Sequence, residues 1–284
     1  MLRIRPMQAK DIPFALRLTN QEKWGVTRTD LRRLMRLNPR GCFITYEGIA
    51  RLGITTTTVY GRKLAWIGNV IVDKNYRGKS IGHALIEHAV SHLQKSRVQH
   101  IALYCYHEHV KFYEDLGFEQ DNPFVRLRRN APKRKQLGTP NISQRPPSLL
   151  RILAADRQAF GADRSKLIRH ILAERTGSIL GSLRMPSSAS YLMVKEYGSE
   201  GEVGPWICTD PSRDDPDEML TRALSQMGPV HVEASCMQSN WRAIGALKVN
   251  GFHTIREGYR MFFRERARIG DDSAQFALGF LDKG

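Results

Sequence analysis

A chain of 284 residues, 41% hydrophobic and 25% charged, has the composition of a folded protein and is long enough for about two domains with cores of their own, which excludes disorder, collagen-like repeats and fibres. Its 44 Lys+Arg against 28 Asp+Glu leave a net charge of +16 and a pI near 10.0. That balance favours anionic partners such as nucleic acid, acidic proteins or phosphorylated cofactors, and composition alone does not choose among them.

In chain order, Leu2–Pro6 reads as a strand, and Ala9-Lys10-Asp11-Ile12-Pro13 opens a helix with Asp11 near its start and Pro13 in its first turn. Residues 29–37 predict a second helix, which with Arg28 carries arginines at 28, 32, 33 and 36. Strand-rich sequence follows at Cys42–Tyr46, Gly48–Val59 and Lys63–Asp73. The last of these, Leu64 to Val72, is almost continuously apolar, as expected of a central strand covered on both faces.

Next comes Arg77-Gly78-Lys79-Ser80-Ile81-Gly82, leading into an amphipathic helix with Ile81, Leu85, Ala89 and Leu93 on one face. A small-residue loop between a strand and a helix offers successive backbone N–H groups at a helix N-terminus, a place that holds a pyrophosphate. Arg77 and Lys79 would add positive charge there, and Gly78 and Gly82 would allow close approach. On these residues alone an ordinary strand-to-helix turn remains the other reading. A further strand is expected at Gln99–Tyr106 and a short helix at His107–Leu116, closed by Gly117 in the left-handed position, with Tyr113 on that helix.

These pieces, in this order, resemble the GNAT superfamily of acyl-CoA-dependent N-acetyltransferases, whose cofactor signature is Arg/Gln-x-x-Gly-x-Gly/Ala followed further on by a Tyr close to Gly-Phe. Arg77 to Gly82 and Tyr113-Glu-Asp-Leu-Gly117-Phe118 supply both parts; Ser80 stands where the family usually has Gly. The resemblance covers residues 1–127. It implies an α/β (α+β) fold with a mixed, mostly antiparallel central sheet flanked by helices. It also implies acetyl-CoA as cosubstrate and an amine acceptor. The thioester would lie against the strand backbone at Val70, Ile71 and Val72, and Arg77, Gly78, Lys79, Ser80, Ile81 and Gly82 would hold the cofactor. Tyr113 would be the group that protonates the departing sulfur.

The second half echoes the first: residues 142–153 resemble residues 4–16, and Asn250-Gly251-Phe252 echoes Leu116-Gly117-Phe118, so an internal duplication is expected. A late strand at Pro229–Ser235, a short helix at Asn240–Val249 and a final strand at Tyr259–Arg264 would complete it. Residues 160–169 and 276–284 are similar to the C-terminal domain of a bacterial group with two tandem GNAT-like domains. Where a pyrophosphate loop should follow Cys208, the chain has Asp214, Asp215, Asp217 and Glu218 instead, and Leu247 stands in the place of Tyr113. Such carboxylates would repel a pyrophosphate. The expected organisation is a catalytic domain at 1–127, a basic linker at 128–138 and a degenerate GNAT-like domain at 139–284 that is structural or helps build the substrate side.

Segment by segment the net charge is +9, +5 and +2 over those three stretches. The linker holds Arg128, Arg129, Lys133, Arg134 and Lys135. The four cysteines, Cys42, Cys105, Cys208 and Cys236, show neither disulfide nor metal-ligand spacing, which fits a reducing cytoplasm and no metal. The N-terminus lacks a signal-peptide core, and no apolar run is long enough to span a membrane.

The acceptor expected is a primary amine of a small molecule, peptide or protein. No carboxylate lies in Leu64–Val72 to act as base; His107, Glu108 and His109 are candidates, and Glu233 and Asp163 could bind an amine or be ordinary surface and capping groups. Two alternatives stand beside transfer. One is a CoA-binding regulator without catalysis. The other is a nucleic-acid-associated protein using the arginine helix and the linker, ranked below transfer because no aromatic-interleaved RNA motif or helix-turn-helix is present.

Overall fold

The computed structural model describes residues 1–132, 148–174, 177–181, 188–279 and 281–284. They divide into two units. Unit 1 takes Met1–Asp121, Met261–Ala267 and Leu281–Gly284, and unit 2 takes Asn122–Arg260 and Arg268–Phe280.

Unit 1 contains, in chain order, β1 (Arg3–Pro6), α1 (Ile12–Gln21), α2 (Arg28–Leu37), β2 (Cys42–Glu47), β3 (Ala50–Tyr60), β4 (Leu64–Val72), α3 (Ile81–Lys95), β5 (His100–Tyr106) and α4 (Val110–Glu114). Strands β1 to β4 pair antiparallel in sequence order, and β5 joins parallel to β4. Helices α1 and α2 bring Phe14, Leu18, Leu31 and Leu34 onto one face of the sheet, against Cys42, Ile44, Ile54 and Ile71. On α3, Ile81 and Leu85 pack with Leu52.

Local signals explain these elements. α2 starts in a reciprocal capping box, in which the Asp30 N–H donates to Thr27 Oγ1 and the Thr27 N–H donates to Asp30 Oδ2 at 2.9 Å. Arg33, one of the four arginines expected on one basic helix, turns inward instead: it is 1% exposed and donates to Asp30 at 2.9 Å. Arg28, Arg32 and Arg36 stay on the exposed side.

His88 and His92 of α3 both stand edge-on to Phe43, with ring centroids 4.6 and 5.2 Å apart. Burial pushes both imidazoles below their ordinary value. The unfolded chain therefore takes up protons first as pH falls, so this contribution to stability is full above about pH 6.5 and is lost as pH drops through the depressed folded values. Urea unfolding is expected to show a smaller loss between about pH 7.5 and 5.5 in a His88→Gln/His92→Gln variant than in the parent. An identical loss would rule the pair out as its source.

Unit 2 begins within β6 (Phe118–Arg129) and continues with α5 (Leu149–Phe160), α6 (Ser165–Ala173), β7 (Gly177–Gly181), β8 (Tyr191–Tyr197), β9 (Glu200–Ile207), α7 (Pro216–Gln226), β10 (His231–Met237), α8 (Trp241–Val249), most of β11 (His253–Phe263) and β12 (Gln275–Ala277). β7, β8 and β9 are antiparallel, β9 and β10 are parallel, and β10 is antiparallel to β6. An antiparallel run followed by one parallel pair repeats the pattern of unit 1. The helix expected at 240–249 is α8, capped where Asn240 Oδ1 accepts from the Ala243 N–H at 3.1 Å.

Two residues of the expected linker are strand. Arg128 and Arg129 end β6 opposite Glu233 and Val232, and Arg128 bridges Glu233 at 2.7 Å and Glu200 at 2.9 Å. The carboxylate partners of Arg128 lie far along the chain, so nothing local marked it as paired. Lys133, Arg134 and Lys135 lie outside the described residues. All four cysteines are buried, and none of them is in a disulfide. Among the described residues, no helix is long and apolar enough to cross a membrane, and no cluster of His, Cys, Asp or Glu could hold a metal.

Candidate active site

The site starts where two parallel strands part. β4 and β5 are paired only from Leu64–Trp66 to His100–Ala102, although β4 runs on to Val72 and β5 to Tyr106. Val70, Ile71 and Val72 therefore lie on a stretch of β4 with no β5 partner. The antiparallel side of β4 is irregular here: Ile54 pairs with Ile71 and Thr56 with Gly68, so β4 carries an extra residue. Asn69, at φ 50°, sits in this bulge. A bulge re-aims backbone groups, and a left-handed non-glycine residue marks stored strain of the kind that clusters at functional sites.

The loop after β4 is built from two left-handed residues. Gly78 has φ 77° and Ser80 has φ 55°, and Ser80 is the residue from which α3 starts. Ser80 makes no side-chain cap, so the first N–H groups of α3 are left open, a fit for a phosphorylated ligand. Ile81 is 5% exposed and anchors the helix start, and Gly82 faces the Phe112 ring, 3.2 Å from where a Cβ would stand. Arg77 is already engaged: its Nε donates to the Val72 carbonyl at 3.1 Å and its Nη2 to Glu22 at 2.7 Å. It ties the end of β4 to the loop. Lys79 lies over the Tyr76 ring at 5.6 Å.

Serine at a left-handed position pays about 1–2 kcal/mol that glycine avoids, partly offset by the greater freedom of glycine in the unfolded chain. Ser80→Gly is therefore expected to stabilise the protein by about 0.5–1 kcal/mol in urea unfolding. A loss of stability would show that the serine side chain itself holds the loop. The departure at Ser80 thus leaves the left-handed conformation in place.

Tyr113 lies on α4, 9% exposed, edge-on to Phe112 at 4.9 Å and to Phe118 at 5.9 Å. Burial first, then the neighbouring Cys105 of β5, raises its pKa above the ordinary phenol value. Tyr113 is therefore held protonated at neutral pH. Cys105 belongs to the part of β5 that has left β4.

The other candidates separate by position. His107, Glu108 and His109 form a single 3-10 turn after β5. Partial burial, and then Arg77, lowers the His109 pKa. Glu233 receives Arg126 and Arg128; the Ser165 hydroxyl and N–H, and after them Arg157, hold the Asp163 carboxyl down at about 2. Both are engaged in ion pairs of unit 2.

Unit 2 has the same parting of parallel strands, and it is filled. β9 and β10 pair over Glu200–Val203 and His231–Ala234. Beyond that, β12 lies along β9, with Gln275 opposite Ile207 and Ala277 opposite Trp206. The Cys208 N–H donates to the Ala274 carbonyl at 2.9 Å and the Leu278 N–H to the Ser235 carbonyl at 2.7 Å. The edge left open in unit 1 is thus satisfied by the chain itself in unit 2. Asp214 is buried and accepts from Ser188 and Ser190, Asp215 caps α7 by accepting from Glu218, and Leu247 is core. The carboxylates at 214–218 are visible in the sequence, whereas the filled edge has no local sign there.

The family model described as "Acetyltransferase (GNAT) domain" matches residues 38–120, a span that contains β2 to β5, the 77–82 loop and Tyr113. The chain is 25% identical over 260 residues to the uncharacterized N-acetyltransferase YitH of Bacillus subtilis (strain 168), covering 89% of each chain. Its fold is similar to that of a presumed acetyltransferase of Pyrococcus horikoshii, at 19% identity and a TM-score of 0.81 over 100% of this chain and 96% of that one. It is also similar to a tandem GNAT protein from the clavulanic acid biosynthesis pathway, at 13% identity and a TM-score of 0.62 over 94% and 100%. The GNAT fold uses acetyl-CoA, and by domain match and curated relative the chain is an acyltransferase with a GNAT acetyltransferase domain at residues 38–120.

Proposed function

We infer that unit 1 transfers the acetyl group of acetyl-CoA to a primary amine of a small molecule, a peptide or a protein. The observation that carries this reading is the stretch Val70–Val72 of β4, left without a β5 partner and followed by the left-handed loop at Arg77–Gly82, in a unit that also holds the buried phenol of Tyr113. Acetyl-CoA supplies an activated acyl group. The N–H groups at the start of α3 and the left-handed loop at Gly78 and Ser80 bind its pyrophosphate, with Lys79 adding charge. A backbone N–H of Val70 to Val72 donates to the thioester carbonyl, where negative charge grows during attack. Tyr113, kept protonated by burial, gives its proton to the sulfur as the thiolate leaves. Much of the rate comes from holding the two reactants together.

Thermal unfolding in the presence of acetyl-CoA tests the reading. A melting temperature that rises and saturates at micromolar concentrations is expected, since a ligand that binds only the folded state stabilises it. An unmoved melting temperature at millimolar acetyl-CoA would sink the proposal.

A further inference from the structure

The carboxylate missing from the central strand arrives from the far end of the chain. Residues 281–284 belong to unit 1 and lie on β4 at the bulge. Trp66 Nε1 donates to the Leu281 carbonyl at 3.2 Å, the Tyr60 hydroxyl donates to the Lys283 carbonyl, and Asn69 Nδ2 donates to Asp282 Oδ2 at 2.8 Å. The backbone of Asp282 sits so close to Gly68 that a Cβ there would fall 2.2 Å from the Asp282 carbonyl oxygen. Glycine at 68 is what allows the segment to seat.

Three details give the Asp282 carboxylate a direction. Its Oδ1 takes Lys283 Nζ at 2.6 Å, yet the lysine side chain is 3% exposed and the aspartate 15%, so the carboxylate is the more open member of the pair. Its other oxygen is fixed by Asn69, the strained residue of the bulge, whose amide also donates to Thr56 Oγ1 at 3.0 Å. Cys42 lies near enough for Asp282 to raise its thiol pKa, with burial the larger cause. A carboxylate so held stands one residue from Val70, on the sheet face that Cys42 and Thr56 share. The contacts span 213 residues of sequence for Asn69 and Asp282.

We propose that Asp282 is the acceptor-side carboxylate of unit 1: it receives the N–H groups of a protonated primary amine at the β4 bulge, and the amine gives one proton to water before its nitrogen attacks the thioester, which makes cationic primary amines the acceptor class. This rests on the acetyl-transfer reading above. Lys283 neutralises the inner side of the carboxylate and Asn69 sets its rotamer, so the ammonium of the acceptor adds on the remaining open side.

The test uses the full chain with acetyl-CoA, following thiol release with 1,4-diaminobutane and with Nα-acetyl-lysine amide, and with hydroxylamine as an acceptor that is neutral at pH 7.5. Asp282→Asn keeps an oxygen for Asn69; the double variant Asp282→Asn/Lys283→Met also removes the lysine charge that the single change would leave buried. A rise of about tenfold or more in KM for the cationic amines is expected in both variants, as for loss of a charge-assisted hydrogen bond. Acetyl-CoA affinity should be preserved, the rate with hydroxylamine should fall much less than that with the cationic amines, and Asp282→Glu should restore part of the loss. If the parent binds acetyl-CoA but uses neither cationic amine, or if the double variant matches the parent on them, Asp282 does not receive the acceptor. A parallel fall in the hydroxylamine rate would make the residue a structural strut and overturn the proposal equally. Failure of the parent to bind acetyl-CoA at all would instead remove the acetyl-transfer reading beneath it.

Discussion

Arg164→Ala, or Asp156→Ala, is expected to lower the stability of unit 2 by about 3–5 kcal/mol, because each leaves an unpaired charge in a dry core. Arg164 is 2% exposed and Asp156 1%. The guanidinium grips the carboxylate through Nε at 3.0 and 2.9 Å and through Nη2 at 2.8 Å, and it lies 4.2 Å from the centre of the Phe160 ring. The buried Tyr191 hydroxyl donates to the same carboxylate. One ion pair thereby joins α5, the start of α6 and β8. Replacing both partners with apolar residues of similar size, Asp156→Leu with Arg164→Met, should recover most of the loss, since the desolvation cost disappears together with the attraction. Urea unfolding checks both variants, and a single-variant loss below about 1 kcal/mol would mean that water reaches the pair.

Tyr113→Phe is expected to leave acetyl-CoA binding unchanged and to reduce turnover by about 10²–10⁴-fold, the range usual for loss of a positioned proton donor. Phenylalanine keeps the edge-on contacts with Phe112 and Phe118, so the packing of α4 survives and only the hydroxyl is lost. Raised above its ordinary value by burial and Cys105, the phenol stays protonated through neutral pH, as a donor must. Turnover by the variant within about twofold of the parent would assign the proton to another group, and His109 would be the next to change.

Local features of unit 1 were legible because they depend on short spacings. The apolar run 64–72, the small-residue loop 77–82 and the i+4 apolar row of α3 each stand within a few turns of chain, and the strands and helices of unit 1 fall where these signals place them. Residues 160–169, marked by resemblance alone, contain the ring and the guanidinium of the buried ion pair.

What could not be read is pairing at long range. Arg33 looks like its three neighbours until Asp30 draws it inward, and Arg128 looks like linker until Glu233 and Glu200 come alongside. Gln275–Ala277 gives no local sign that it will fill the gap between β9 and β10. Nor does Asp282 show that it will meet Asn69 on β4. Periodicity reports which face of an element is buried and not which distant segment buries it.

The filled edge of unit 2 and the open edge of unit 1 together state a number. Calorimetric titration of the full chain with acetyl-CoA should give one equivalent bound per chain, at micromolar affinity. Two equivalents would mean that β12 yields its place along β9 to the cosubstrate, and none would mean that the parted strands of unit 1 do not form an acetyl-CoA site.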